Sequence, residues 1–201
     1  GGDLDGQTNA GSNDAFLTKY ADDGTKQWTK QLGTPSSDNA YGVSTDSNNN
    51  VYITGQTQGA LDGQTSTGSF DAFLTKYTDD GTIIWTRQLG TTSTDIAYGV
   101  STDSNNNVYI TGKTRSALDG QTTAGTYDAF LTKYDSAGDK KWTRQLGTPS
   151  IDSANGIATG LGTVNSSFTA GTIVTSDDFV TKLSTDLGTT ITYHDDVDLD
   201  G

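Results

Sequence analysis

The chain has 201 residues, of which only 31% are hydrophobic, and its 12 Lys and Arg set against 25 Asp and Glu give a net charge of −13. Such a surface repels nucleic-acid phosphates and anionic lipid headgroups and attracts cations. No apolar run approaches the roughly 20 residues a membrane-spanning helix needs, and no cysteine is present to act as a nucleophile.

The absence of methionine as well as cysteine fits an exposed, oxidant-tolerant protein, with Gly1 a processed terminus or a boundary within a longer sequence. Disorder is a poor reading, because Tyr, Trp, Phe, Val and Ile recur at fixed places. Helix is disfavoured by 25 Gly and a heavy load of Thr, Ser, Asn and Asp, residues that suit strands and turns.

Along the chain, an "LDGQT" segment at Leu4 precedes the strand-like "DAFLTKY" at Asp14–Tyr20. A tight turn, "ADDG" at Ala21–Gly24, leads to a second run headed by Trp28. Next come a strand at Ala40–Thr45, a turn at Asp46–Asn50, a strand at Val51–Thr57 and a Gly-rich loop, "LDGQTSTGS", from Leu61. "DAFLTKY" returns at Asp71–Tyr77, and the turn Asp79-Asp80-Gly81 leads into Thr82–Leu89. Asp-Gly between strand-like runs is a hairpin signal, because Gly takes positive φ cheaply.

The spacing is fixed. "DAFLTKY" starts at Asp14, Asp71 and Asp128, so 71 − 14 = 57 and 128 − 71 = 57. An altered copy, "DDFVTKL", starts at Asp177, and 177 − 128 = 49. Trp28, Trp85 and Trp142 keep step, and "AYGVSTDSNNNVYITG" occupies both Ala40–Gly55 and Ala97–Gly112. Four short antiparallel strands per period is the pattern of a propeller blade. By two-residue alternation Phe73 and Tyr77 point to one face and Ala72 and Leu74 to the other, so stacked blades bury both. The three Trp residues are the expected inter-blade core.

The pattern "DAFLTKY…DDGT…W…QLGT…D.AYGVSTDSNNNVYITG.T" resembles the bacterial seven-bladed β-propeller repeat family known as SBBP repeats. The resemblance runs through Tyr134–Gly147 and weakens after Ile151. It implies secreted or cell-surface bacterial proteins, mostly of unknown function, and supplies no catalytic residues.

The expected fold is all-β: a single β-propeller repeat region over 1–201, with about three and a half blades in a partial or open propeller. It divides into a half-blade at 1–33, blades at 34–90 and 91–147, and a degenerate blade at 148–201, in which Ile191 or Tyr193 stands where Trp would be. Propellers close with about four to eight blades. The chain is therefore read as a fragment of a longer one in preference to a purpose-built dimer, with self-association through the open blade edge as the accompanying expectation.

Candidate chemistry is sparse. Asp196, Asp198 and Asp200, with Gly201, have the D-x-D-x-D-G spacing that converges oxygens on Ca²⁺, and a solvated acidic turn is the competing reading. "GGDLDG", with Asp3 and Asp5, is a related fragment. "DSNNN" at Asp46–Asn50 and Asp103–Asn107 spaces oxygens similarly, but Asn and Asp also close turns unaided. "LDGQT" could line a loop face shared by all blades. His194 is the single histidine, and the carboxylate pairs Asp22–Asp23 and Asp79–Asp80 sit in hairpin turns. No catalytic constellation appears.

The expected function is a non-catalytic structural or interaction module of a secreted or cell-surface bacterial protein, with a protein or glycan ligand and neither a nucleic-acid partner nor a membrane span. The alternative is a calcium-assisted, lectin-like binder of glycans or peptides. A third reading places hydrolase residues in sequence beyond this stretch.

Overall fold

The computed structural model describes residues 2–159, 171–175 and 180–183, the last two segments by backbone alone. Strand β1 (Ala15–Tyr20) pairs antiparallel with β2 (Lys26–Leu32) as a two-stranded sheet. Strands β3 (Asp38–Thr45), β4 (Val51–Thr57), β5 (Asp71–Tyr77) and β6 (Ile83–Leu89) form a four-stranded antiparallel sheet in chain order. A second such sheet follows from β7 (Asp95–Thr102), β8 (Val108–Thr114), β9 (Asp128–Tyr134) and β10 (Lys140–Leu146). Strands β11 (Ala154–Ala158), β12 (Gly171–Thr175) and β13 (Val180–Leu183) make a three-stranded sheet.

β7 lies against β3, β4 and β5, and β11 lies against β7 and β8. The first strands of successive sheets are therefore neighbours, as in radial blades. Their close approach needs Gly42: a Cβ there would sit 2.9 Å from the Tyr98 carbonyl oxygen. The hairpins turn at Gly24, Gly81 and Gly138, with φ of +83°, +80° and +84°, a region only glycine enters freely.

The expected alternation along the repeated heptapeptide holds. Phe73 and Tyr77 pack with Ala15, Leu32, Val51, Ile53 and Leu61, toward the preceding sheet. Ala72 and Leu74 join Tyr52, Val108, Ile110, Phe130 and Tyr134, toward the following one. Both faces of β5 are covered and each of its residues is buried, which no isolated four-stranded sheet could achieve.

The Trp residues are at the blade boundary but do not form its core. Trp28, Trp85 and Trp142 are half-buried. Trp28 Nε1 donates to the Asp79 carbonyl at 3.2 Å and Trp85 Nε1 to the Ser136 carbonyl at 3.4 Å, each in the next sheet's hairpin turn. A Cβ on Gly138 would stand 2.9 Å from two Trp85 ring atoms, so the indole covers that glycine. Tyr52 and Tyr109 fill the interior and meet Trp85 and Trp142 edge-on, at centroid separations of 5.9 and 6.2 Å. The indoles have a polar N–H to satisfy and solvent beyond the turn, so the fully buried positions fall to Tyr and Phe.

Candidate functional site

Each sheet presents two ends. At one end lie the DSNNN turns and the Gly hairpins. At the other lie the LDGQT loops and the connections from one sheet to the next.

The DSNNN turns close on themselves. Asp46 Oδ1 accepts the backbone N–H groups of Asn48 and Asn50, both at 2.9 Å. Its Oδ2 accepts from Asn50 Nδ2 and the Tyr52 hydroxyl, also at 2.9 Å, and Lys76 Nζ lies 3.4 Å away. Burial alone would raise the Asp46 pKa, but the hydrogen bonds from Asn50 and Tyr52 outweigh it and hold the carboxyl below its ordinary range. Asp103 repeats this with Asn105, Asn107 and Tyr109, and Asn49 and Asn106 take the left-handed conformation, φ 61° and 59°. The carboxylates accept from Asn side-chain nitrogens, so the Asn oxygens do not converge on a shared centre. These are turn-closing residues.

The opposite end holds buried carboxylates. Asp38, Asp95 and Asp152 each accept the N–H of a threonine four residues earlier, Thr34, Thr91 and Thr148, at 2.6 Å. The Thr57 and Thr114 hydroxyls donate to Asp38 and Asp95. Their own N–H groups reach across to the neighbouring blade: Asp38 to the Asn13 carbonyl at 2.7 Å, Asp95 to Phe70 and Asp152 to Tyr127 at 2.8 Å. Asp71 and Asp128, which open the heptapeptide, accept from Gln88 and Gln145 Nε2 at 2.8 Å, and a side chain on Gly90 or Gly147 would collide with them. The same two glutamines accept the Leu61 and Leu118 N–H groups at 3.2 and 2.9 Å. This explains why "LDG" and "QLG" recur together: Leu61 and Leu118 are buried, Asp62 and Asp119 turn at φ 49° and 51°, and the glutamine ties the loop to the fourth strand.

Among these carboxyls Asp95 titrates above its ordinary 3.8; burial is the main cause, opposed by hydrogen bonds from Thr114 and Thr91 and helped by the nearby Asp71. The folded chain thus binds this proton more tightly than the unfolded chain. Ionised Asp95 carries its full desolvation cost above the raised pKa, and the cost is relieved as pH falls toward 3.8. Urea unfolding of wild type and Asp95→Asn across that window is expected to show wild type gaining stability relative to the variant as pH falls. A constant difference would contradict this.

The hairpin carboxylates are also committed to local contacts. Asp79 pairs with Lys19 of the preceding sheet, while Asp23 accepts the Thr25 N–H at 2.9 Å and Asp80 the Thr82 N–H at 3.2 Å. Among the described residues no group of three or more His, Cys, Asp or Glu could hold a metal ion. The sequence-predicted calcium residues Asp196, Asp198 and Asp200, and His194, lie outside the described residues.

One cluster on the loop end departs from the repeat and is not singled out by motif reading. Lys113, at the end of β8, places Nζ 4.8 Å from the ring centroid of Tyr127 and 5.7 Å from that of Tyr98. The Arg115 guanidinium lies 5.9 Å from Tyr127, and Tyr98 meets Tyr41 at 5.5 Å. The preceding repeat has Gln56, Gln58 and Phe70 at the positions of Lys113, Arg115 and Tyr127. Those differences are the sequence signal that marks the cluster.

A family model described as SBBP, β-propeller repeat, matches residues 27–61 and 84–118. The chain carries SBBP β-propeller repeats. Each match takes in the last strand of one blade and the first two strands of the next, so the SBBP unit covers the junction where Trp, the Gln-Leu-Gly segment and the buried Asp act together. The chain is 31% identical over 172 residues to the regulatory protein FlaEY of Caulobacter vibrioides, covering 77% of this chain and 18% of that protein. It is 29% identical over 122 residues to the uncharacterized WD repeat-containing protein L264 of Acanthamoeba polyphaga mimivirus, covering 52% of this chain and 9% of that protein. The chain thus spans less than a fifth of the length of either relative. Among the described residues no helix is long and apolar enough to cross a membrane.

Proposed function

We propose that the chain is a non-catalytic interaction module of a secreted or cell-surface bacterial protein, presenting the loop ends of its blades to a partner. The observation that carries this reading is the use of the repeated side chains. The repeated Asp, Gln, Trp, Thr and Lys side chains hold turns and loops within a blade or join it to the next, while the copies differ in the loops and turns at the blade ends. Similarity to a protein named as regulatory and to a WD-repeat protein supports an interaction role. A chain with neither Cys nor Met suits an oxidising exterior. The exposed apolar side chains of β1, Phe16 and Tyr20, support self-association through that sheet.

The test is a hydrolase substrate panel together with binding arrays and concentration-dependent light scattering. Absence of turnover, with binding or association detected, is the expected result. Turnover abolished by His194→Ala would overturn the non-catalytic reading, and a strictly monomeric chain at high concentration would remove self-association. The second reading, a calcium-assisted lectin-like binder, rests on the spacing of Asp196, Asp198 and Asp200. It requires glycan or peptide binding that chelation abolishes and that Asp198→Asn weakens.

A further inference from the structure

The two complete four-stranded sheets are near copies, and where they differ is informative. Ala40–Gly55 and Ala97–Gly112 are identical residue for residue, as are Asp71–Tyr77 and Asp128–Tyr134. Immediately outside these blocks Gln56, Gln58 and Phe70 become Lys113, Arg115 and Tyr127. Seven of the fifteen positions from Lys113 to Tyr127 differ from the preceding copy, and these three, which bring in two cations and a phenol, meet in space around one tyrosine ring. Their convergence on one spot of the loop end is what a ligand site grafted onto a repeated scaffold looks like.

Among the described residues no carboxylate forms an ion pair with the charge at this spot. Five ion pairs among the described residues take up Lys19, Lys26, Lys76, Lys140 and Lys141. Arg87 and Arg144 donate to backbone carbonyls. Lys30 acts on the Asp80 carboxylate, and Lys133 lies over the Tyr109 ring at 5.1 Å. Among the described residues Lys113 and Arg115 likewise have only tyrosine rings, but here two cations share one ring, in a chain of net charge −13. A ring face attracts a cation without neutralising it. The nearby carboxylates are used elsewhere: Asp95 by Thr91 and Thr114, Asp128 by Ala124, Gly125 and Gln145, Asp152 by Thr148. Arg115 and Tyr41 are exposed, and Lys113, Tyr98 and Tyr127 half-buried, so the ammonium is held in place and still reachable.

We infer that Lys113, Arg115, Tyr127 and Tyr98 form a binding site for a carboxylated saccharide, of the uronic-acid kind. The guanidinium fork matches a carboxylate in two parallel hydrogen bonds, and the lysine adds a point charge beside it. The exposed Tyr41 ring beside Tyr98 offers a flat apolar face for the C–H side of a sugar ring, and the tyrosine hydroxyls offer hydrogen bonds for its oxygens. The chain's own negative field selects against densely charged polyanions, so the ligand carries isolated carboxylates on an otherwise neutral frame. Calcium has no part in this site. The inference rests on the reading of the chain as a binding module and names the ligand class of its loop end.

The test is calorimetric titration at low salt with a galacturonic-acid trisaccharide, a neutral galactose trisaccharide of the same length, and a tri-aspartyl peptide that carries the same carboxylate chemistry on another frame. The expected result is binding of the uronate trisaccharide alone, unaffected by chelator and weakened by added salt. The double variant K113Q/R115Q should bind it on the order of ten- to a hundredfold more weakly, through loss of two charge-assisted contacts. That variant restores the residues with which the preceding blade folds, so its thermal unfolding should match wild type. Failure of the uronate to bind, equal binding of the neutral sugar, preference for the peptide, or undiminished binding by the double variant would each overturn the site. Hydrolysis of the bound trisaccharide would instead overturn the non-catalytic reading and leave the site standing.

Discussion

Phe73→Ala is expected to lower the unfolding free energy by about 4 kcal/mol, as large-to-small changes of buried aromatics do, while Phe16→Ala in dilute solution is expected to cost less than about 0.5 kcal/mol, as surface changes do. The two residues hold the same place in the same heptapeptide, 73 − 16 = 57 positions apart. They differ in what covers them. Phe73 is 0% exposed beneath Ala15, Leu32 and Leu61, whereas Phe16 is 59% exposed. Tyr77 and Tyr20 repeat the contrast, and so do Val100 and Val43, at 7% and 61% exposure. In each pair the buried member has a preceding sheet against its face. The stability of a blade therefore comes chiefly from its neighbour and not from its own sequence, as expected of an array of nearest-neighbour interfaces. Urea midpoints for the two variants measure this directly. Equal losses at positions 16 and 73 would mean that the sheets do not stack face to face.

The repeat, the strands and their facing were legible in the sequence. The second and third strands of the complete blade run Val51–Thr57 and Asp71–Tyr77 in the structure, as alternation and turn residues indicate. The first strand begins at Asp38 and not Ala40, because Asp38 and Asn39 pair with Thr57 and Gln56. A buried Asp opening a strand looks in sequence like one more polar turn residue, and its Thr57 partner lies nineteen positions away. The large area of Trp marks it as core in sequence. The geometry shows that the same recurrence suits a half-exposed ring laid on the next blade's glycine. The DSNNN segments show a limit of spacing alone: D-x-N-x-N serves a cation or a self-closed turn equally well, and only the direction of the Asn50 and Asn107 amides separates the two. Lys113 and Arg115 were open to a comparison of one repeat with the next, but a search for what the copies share passes over what sets them apart.

Gly112→Ala opposes two effects of different size, and its outcome tests how tightly the first strands are held. Gly112 sits in β8 opposite Ala97, beside the irregularity between Ala97 and Gly99 in β7. Its φ lies outside the left-handed region, so on chain entropy alone alanine would stabilise by about 0.4–1 kcal/mol. The added Cβ, however, runs into the backbone carbonyl oxygen of Ile96 and lies 2.8 Å from Ala97 Cα. Neither obstacle is a side chain that can rotate away. Relief requires β7 to part from β8, and β7 is wedged between the preceding sheet and β11. The cost should be about 3 kcal/mol or more. Gly156→Ala is the control, since nothing lies within 4 Å of a Cβ there; it should be neutral or slightly stabilising. Tyr98 lies in β7 and Lys113 in β8, the two strands that Gly112→Ala would push apart. The variant should therefore lose affinity for the carboxylated saccharide along with stability, while Gly156→Ala keeps both. A fully stable Gly112→Ala chain would show that the bulge at Ala97 yields freely and does not set the position of the Lys113 side chain.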